Sequence, residues 1–350
     1  MILHAHRSQE SPALRLSLAV FGKHPGWDDH IEDLGIETDW LIRIRQAFYV
    51  EGLGRNIESG AWDKLENEGR LVPFRHLAVW QAPEGIVVGR LWASRDGKGR
   101  SKYPMVLLIQ ARECPLDWVL REMPPRLEEA ERQCTTAARA EDVRGIVQAL
   151  RDDLRGLEAP AGEGEEIPGR PAVETPAFLA DCPALAPRGE GLFRVLYKIY
   201  REMAAYAPPE TRASSPADRR PGHLRVPRCA DSVEQACSLW SGLLAGQLEP
   251  LTPLVFLLPL QEPWLDILVG VPAVQQFFCL QASPESLPLT SDVPYTWDAE
   301  FARRAEAVVE ASRKRSLGLP SVFGPADRKA GGLSWLKNEV LKFRSSRLAR

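Results

Sequence analysis

The sequence predicts an α/β protein of the α+β type, in which a small, mainly antiparallel sheet with flanking helices precedes a second, smaller α/β unit. Three patterns support this expectation. Residues 14–21 alternate in polarity as a half-buried strand does. Two β-rich runs, 75–81 and 86–93, flank a short turn, which is typical of a hairpin. A second tight connection then leads into an apolar strand at residues 105–110.

Helices are expected beside this sheet. Thr38 is suited to cap a helix whose apolar side chains share one face, and Gly52 and Gly54 are suited to end it. Two further helices are predicted at about residues 125–139 and 141–157. The first predicted domain therefore spans residues 12–157 and combines these helices with an antiparallel meander.

The composition changes after residue 157. Residues 158–190 are dominated by Pro, Gly, Ala and Glu without periodicity, which predicts a flexible linker. A second α/β domain is predicted over residues 191–312, followed by a basic, partly helical tail at 313–350. The elements expected in the second domain are helices at about 192–203, 231–247 and 300–312 and strands at 253–260, 264–270 and 276–281.

The composition is that of a globular protein, with 44% hydrophobic and 26% charged residues among 350. The net charge of −3 argues against a nucleic-acid partner. Neither a secretory signal nor a long apolar stretch is apparent, so we expect a cytoplasmic protein without a transmembrane helix. Six scattered cysteines without a C-x-x-C pair predict buried thiols in a reducing compartment rather than a zinc site or a disulfide framework.

Positive charge is concentrated in the tail. Residues 313–350 hold ten Lys or Arg and two acidic residues. Apolar and basic residues interleave between Leu333 and Arg347, as in a short basic amphipathic helix. Three interpretations stay open: contact with an anionic membrane surface, docking on a partner, and packing on the acidic body of the same chain.

The loop after the first strand holds residue types that could bind a metal ion. His24, Asp28, Asp29 and His30 offer two imidazoles and two carboxylates within seven residues. This set supports an alternative function, that of a metal-dependent hydrolase. The intervening Pro-Gly pair favours a loop, and an aspartate that caps backbone N–H groups is the simpler interpretation.

A second charged loop, residues 94–102, carries four cations and two glycines. It could hold an anion or form a solvated hairpin tip, and it lacks the residue order of a phosphate-binding P-loop. Because a guanidinium matches a carboxylate in shape, we hypothesise that Arg100 binds Asp29 or Asp96 and so clamps the ends of neighbouring strands.

Other features argue against an enzyme. The chain has neither a G-x-S-x-G elbow nor a cysteine in a catalytic pattern. His76 lies in an apolar run and His223 follows a Pro-Gly pair in a predicted loop, so both are interpreted as packed or exposed bystanders rather than bases. No cofactor is expected.

Together the two loops resemble the TagF (ImpM) family associated with bacterial type VI secretion. That family combines a Gly-Lys-x-Pro…Gly-Asp-Phe loop with a later Ser-x-Asp…Gly-Arg-x-Phe-Pro stretch, and the resemblance covers about residues 18–110. Asp28 replaces the family's Gly, His30 replaces its Phe, and one extra residue follows Arg100, as expected of a divergent member. The matching residues are Gly22, Lys23, Pro25, Asp29, Ser94, Asp96, Gly99, Arg100, Tyr103 and Pro104.

The resemblance implies a non-enzymatic accessory or regulatory adaptor of a type VI-like secretion system that acts through protein–protein contacts in the cytoplasm. Its partners would be protein components of the secretion machine, including a protein with a forkhead-associated domain. The ten matching residues would form partner-binding or structural loops, with no catalytic residue among them. The family fold, a small antiparallel sheet with flanking helices, agrees with the elements predicted above.

Overall fold

The computed structural model describes residues 15–32, 34–157, 179, 182–185, 190–212, 214–313 and 319–324. The strands within these ranges are β1 (Arg15–Gly22), β2 (Arg75–Ala82), β3 (Gly85–Trp92), β4 (Met105–Arg112), β5 (Gly222–Pro227), β6 (Leu254–Pro259) and β7 (Trp264–Val269). They form a seven-stranded sheet in the order β1-β4-β3-β2-β6-β7-β5, and each neighbouring pair is antiparallel.

Helices cover both faces of this sheet. They are α1 (Asp39–Ile44), α2 (Gly54–Glu58), α3 (Ala61–Asn67), α4 (Leu116–Thr136), α5 (Ala140–Arg155), α6 (Gly191–Glu202), α7 (Val233–Ala245) and α8 (Ala299–Arg313). A π-helical segment, Arg45–Leu53, joins α1 to α2, and a 3-10 helix spans Val274–Leu280. Helices α4 to α8 share a core with one face, whereas α1, the π-helical segment, α3 and the 3-10 helix share a core with the other.

Side chains alternate along each strand and so point to both faces of the sheet. Both faces are buried because helices cover them. In β1, Leu18 and Val20 enter the core with α4 to α8, whereas Ala19 and Phe21 enter the core on the opposite face. The same alternation occurs in the central strands, whose residues are almost all buried. The result is a three-layer arrangement with the sheet in the middle.

The predicted class, an antiparallel sheet with flanking helices, is confirmed. The strands assigned to a second unit, however, continue the first sheet and do not form one of their own. β2 pairs with β6 from His76 opposite Pro259 to Gln81 opposite Leu254. β2 therefore has a neighbour on each side, β3 and β6. Because both of its edges are paired, the backbone N–H and C=O groups of this strand are not left exposed.

Two local predictions from the second half of the chain are wrong. Residues 276–281 were expected as a strand, but Val274–Leu280 is a 3-10 helix. The Gln276 side chain explains this start, because it accepts from the Ala273 N–H at 2.9 Å and donates to the Gly222 carbonyl at 2.8 Å. His223, expected in a loop, lies in β5 opposite Leu268.

In the first half of the chain, the helix predicted at 125–139 begins earlier, at Leu116. Its buried apolar residues lie both before and after the two internal prolines, so the prolines do not mark its start. Thr38 caps α1 as predicted, with its hydroxyl accepting from the Leu41 N–H at 3.2 Å.

The expectation for the cysteines is also corrected. Cys182 and Cys229 form a disulfide, whereas the other four cysteines are buried thiols. The two bonded residues are 47 positions apart, and the fold brings their Cα atoms to 5.4 Å. Spacing along the chain carries no sign of such a long-range pairing.

Most of the predicted linker at 158–190 lies outside the described residues, as does most of the tail at 313–350, including its basic amphipathic stretch. In the part of the chain that the structure describes, no helix combines the length and the apolar character needed to cross a membrane.

A buried arginine joins the β5 edge of the sheet to the segment that follows β7. Arg225 faces Asp266 of β7 and donates to both of its carboxylate oxygens at 2.9 Å. Its remaining N–H groups donate to the carbonyls of Cys279, Ala282 and Leu287. All five guanidinium donors are therefore satisfied, as burial of the charge requires.

His76 packs near this pair and gives folding a pH dependence. Burial, the largest influence, lowers its pKa to about 4, with Arg225 adding to the effect and Asp266 opposing it. Between pH 6.5 and 4 the unfolded chain therefore binds a proton at this position that the folded chain does not. The free energy of unfolding is therefore highest above pH 6.5, and protonation of His76 in the unfolded chain lowers it as the pH falls towards 4.

We predict that replacing His76 with Gln reduces this pH dependence. Relative to the variant, the wild-type free energy of unfolding should fall by about 3 kcal/mol more between pH 7 and pH 4. Urea denaturation at a series of pH values measures the difference. Parallel pH profiles for the two proteins would show that His76 is protonated equally in both states.

Candidate functional site

The two loops singled out by the sequence lie side by side at one end of the sheet. We call residues 22–30 the first signature loop and residues 94–104 the second signature loop. β1 ends at Gly22 opposite Met105, where β4 begins, and β3 ends at Trp92 opposite the same residue. Because these strands are neighbours, the first loop leaves the sheet where the second one crosses from β3 to β4.

Gly22 allows the two loops to approach each other. Its φ is +110°, and a Cβ atom at this position would lie 2.2 Å from the Pro104 carbonyl oxygen. That carbonyl also accepts from the Lys23 N–H at 3.3 Å. A larger residue would separate the loops, which explains why glycine is needed here.

Asp96 is the buried centre of the second signature loop, with 1% of its surface exposed. One carboxylate oxygen accepts from the backbone N–H groups of Lys98 and Arg100, at 3.0 and 2.9 Å. The other accepts from Lys23 Nζ at 2.5 Å and from Arg100 Nε at 2.7 Å. Asp96 thus shapes its own loop and holds the first loop against it.

These contacts keep Asp96 ionised. Burial acts to raise its pKa, but the hydrogen bond from Lys23 and those from Arg100 outweigh burial, so the pKa lies below its ordinary value. Lys23 is itself buried, with 4% of its surface exposed. Each charge is therefore the partner that makes burial of the other tolerable.

Arg100 and Asp29 extend the buried pair to the surface. Arg100 Nη2 lies 3.1 Å from Asp29 Oδ1 and donates to the Asp28 carbonyl at 2.9 Å. Lys23 Nζ lies 3.3 Å from the same Asp29 oxygen. The predicted contact between Arg100 and an aspartate is therefore present, and it involves Asp29 and Asp96 together. We call Lys23, Asp29, Asp96 and Arg100 the charged cluster.

The outer pair of the charged cluster is accessible, since Asp29 and Arg100 expose 65% and 53% of their side chains. The hydrogen bond from Lys23 is the largest influence on Asp29 and holds its pKa below the ordinary value, with Arg100 and His30 acting in the same direction. The surface therefore presents an ionised carboxylate and a guanidinium in fixed positions.

His30 connects the charged cluster to an aromatic group. Its Nδ1 lies 3.1 Å from Asp29 Oδ1, and its ring packs edge-on against Tyr103 and Tyr49, with centroids 5.1 and 6.0 Å away. The Tyr49 hydroxyl donates to the Pro104 carbonyl at 3.3 Å. His30 thus makes both an aromatic and a polar contact.

Helix α5 supports the first signature loop from the other side. Gly26 lies so close to the start of α5 that a Cβ atom there would meet the Ala140 backbone N at 2.5 Å. The Arg144 guanidinium lies 5.5 Å from the Trp27 ring centroid, and Trp27 accepts from the Gly97 N–H at 2.6 Å through its carbonyl. The loop is therefore held between α5 and the second signature loop.

The residues proposed as a metal set do not converge. His24 is buried, and its Nδ1 accepts from the Gly26 N–H at 3.0 Å while its Nε2 lies 2.9 Å from the Cys134 carbonyl. Burial lowers the pKa of His24, in keeping with a neutral ring. Both nitrogens thus bind the backbone, whereas Asp28, Asp29 and His30 lie at the exposed side of the loop. His24 is explained as a structural residue.

The remaining matching residues frame the charged cluster. Ser94 is half-buried between β3 and the charged turn, and Pro25 is exposed on the first loop. Gly99 has a φ of +82° and forms the turn that returns the chain to Arg100. Tyr103 is half-buried and Pro104 is buried where β4 begins.

A group of potential metal ligands also occurs away from the loops. His223, Asp266 and Cys279 place their ligand atoms within 4.8 Å of one another. Both oxygens of Asp266, however, accept from Arg225, so a cation already neutralises this carboxylate. Burial raises the pKa of Cys279 well above its ordinary value, which disfavours the thiolate that a metal needs.

Neither a protein-family model nor a curated protein matches the chain. Among solved structures, the chain is similar to that of PA0076 from Pseudomonas aeruginosa PAO1. The two are 18% identical over 41% of this chain and 64% of the other, with a TM-score of 0.30. The chain therefore spans less than two thirds of that protein's length, and a likeness of this size carries no functional argument.

The charged residues of the site are recognisable from the sequence, whereas the residues that support them are not. Tyr49 comes from the π-helical segment and Arg144 from α5, and neither lies near the loops in sequence. No local pattern marks them. Lys23 was identified from the resemblance, but its burial was not anticipated, because lysine is almost never fully buried without a partner.

We predict that replacing Asp96 with Ala loosens both signature loops. The amides of Lys98 and Arg100 lose their acceptor, so their hydrogen exchange should accelerate by roughly tenfold or more, and Lys23 loses its buried partner. Exchange monitored by NMR or mass spectrometry measures this change. Asp63→Ala, which removes the exposed partner of Lys102, is the matched control. Unchanged exchange in the Asp96 variant would contradict the role given to its carboxylate.

Proposed function

We propose that this protein is a non-enzymatic accessory or regulatory adaptor of a bacterial type VI-like secretion system, and that its signature loops form the partner-binding surface. One observation supports the proposal above all others. Lys23 and Arg100, which carry part of the resemblance to the TagF (ImpM) family, come from two separate loops and donate to one buried carboxylate, that of Asp96.

The charged cluster has the form expected of a prepared binding surface. Its inner members, Lys23 and Asp96, are buried, whereas Asp29 and Arg100 reach solvent. Side chains that are already held in place lose less conformational freedom when a partner binds, so more of the contact energy contributes to affinity. Arginine and tyrosine, both present here, are also common among residues that dominate interface energies.

The same contacts favour binding over hydrolysis as the function of these loops. A metal-dependent hydrolase built on His24, Asp28, Asp29 and His30 needs nitrogen and oxygen donors that face a common point. His24 instead uses both ring nitrogens for backbone contacts. Asp29 is engaged by three cationic or imidazole groups through a single oxygen.

In the proposed mechanism the adaptor acts by occupancy. Binding a component of the secretion machine lowers the free concentration of that component by mass action. By the same resemblance, a protein with a forkhead-associated domain is one of the proposed partners, and the cytoplasm is the proposed location.

We predict that the protein recovers components of the secretion machine from its host and that Arg100→Ala weakens this capture by roughly 10- to 100-fold. The variant removes the exposed guanidinium and its contacts with Asp29. Affinity purification followed by mass spectrometry identifies the components, and titration with a purified component gives the dissociation constant.

Arg43→Ala is the matched control, since it removes an exposed arginine that pairs with Glu84 outside both signature loops. It should leave capture unchanged. Two results would contradict the proposal: no secretion component is captured by the wild type at micromolar concentration, or the folded Arg100 variant captures as well as the wild type.

A further inference from the structure

The disulfide between Cys182 and Cys229 lies at the other edge of the sheet from the signature loops. Cys182 precedes α6, and Cys229 lies between β5 and α7. The signature loops adjoin β1, whereas β5 is the last strand in the sheet order. An inference about this bond is therefore independent of the proposed function.

The bond closes a loop that contains one of the two edge strands of the sheet. Between Cys182 and Cys229 the chain contains α6 and β5, and α6 packs on β5. β5 pairs along one side only, with β7. An outer strand with one neighbour opens more easily than a central one, so a covalent link here restricts a local opening.

The two bonded cysteines differ in accessibility. Cys182 is 7% exposed, next to the buried Leu179 and Leu185, whereas Cys229 is half-buried. Cys229 also has a φ of +58°, an uncommon conformation for a residue other than glycine. Of the two bonded residues, Cys229 is therefore the more accessible to a small thiol.

The other four cysteines are poorly suited to exchange. Burial raises the pKa of Cys114 to about 11 and those of Cys134 and Cys237 to about 12, and it raises that of Cys279 well above the ordinary value. Since the thiolate is the reactive form, these thiols stay unreactive at neutral pH. Of the six cysteines, Cys182 and Cys229 are therefore the pair best placed for reversible oxidation.

We propose that Cys182 and Cys229 form a reversible disulfide that locks the edge made by β5 and α6 under oxidising conditions and releases it under reducing ones. Exposed disulfides are the labile or regulatory ones, whereas buried structural disulfides resist reduction, and Cys229 is half-buried. The fold supplies the geometry, since the Cα atoms are within the range that a disulfide spans.

The oxidant is a low-molecular-weight disulfide, RSSR. The Cys229 thiolate attacks one of its sulfurs, which forms a mixed disulfide and releases one thiolate RS⁻. The Cys182 thiolate then attacks the Cys229 sulfur and releases the second RS⁻. Two protein thiols and one RSSR thus give one protein disulfide and two RSH, with the two thiol protons taken up by the released thiolates. A thiol in excess reverses both steps.

Oxidised and reduced glutathione are the probes for the test. The purified chain is equilibrated over a range of their ratios, quenched with acid, alkylated after unfolding and analysed as intact protein and as peptides. We expect four alkylated cysteines at the oxidising end and six at the reducing end, with a linked peptide that contains Cys182 and Cys229. Reduction should lower the melting temperature by roughly 5–10 °C and accelerate amide exchange in β5.

Cys182→Ser and Cys229→Ser provide matched controls. Each should melt near the temperature of the reduced wild type and form no linked peptide at any glutathione ratio. Cys182→Ser should instead hold a mixed disulfide with glutathione at Cys229 at the oxidising end. Combining the two changes should add no further loss of stability. Six alkylated cysteines at every ratio would overturn the proposal, as would a bond that excess reduced glutathione fails to open in the folded protein. Independent, additive losses in the two variants would also overturn it.

Discussion

Lys23 and Asp96 lie 73 residues apart in sequence, and the fold joins them at 2.5 Å in a buried ion pair. Neither charge could be buried alone without a large loss of hydration free energy. The pair therefore constrains both loops at once: the chain after β1 cannot move away from the chain after β3 without exposing an unpaired charge to the interior. The exposed Asp29 and Arg100 take their positions from this contact.

A second polar anchor stabilises the opposite edge of the sheet. Arg225 and Asp266 join β5 to β7 and also hold the segment around Cys279, while the disulfide closes the loop that contains β5. The molecule thus has a buried charged contact towards each edge of one continuous apolar sheet. One of these contacts supports exposed charges that a partner can reach. The other has no exposed carboxylate or guanidinium and serves stability.

The sequence allowed the first half of the fold to be predicted, because alternation in β1, the hairpin of β2 and β3 and the Thr38 cap are local patterns. The pairing of β2 with β6 was not predictable in this way, since an apolar strand does not specify its neighbour. The Cys182–Cys229 and Arg225–Asp266 contacts were not predicted either, because each joins residues that are more than 40 positions apart in sequence. In the site, the resemblance to a known family identified the charged residues. The contact between Arg100 and an aspartate was predicted because a guanidinium matches a carboxylate in shape. The roles of Tyr49 and α5 depend on long-range packing that spacing does not reveal.

The central claim is that the buried Lys23–Asp96 pair makes the two signature loops one unit. A double-mutant cycle tests it most directly, with melting temperatures of Lys23→Met, Asp96→Asn and the combined variant compared with the wild type. If the pair acts as a unit, each single change destabilises the protein, and the combined variant is little worse than the more damaging single change. Losses that add in full would mean that the two residues act separately and would contradict the account.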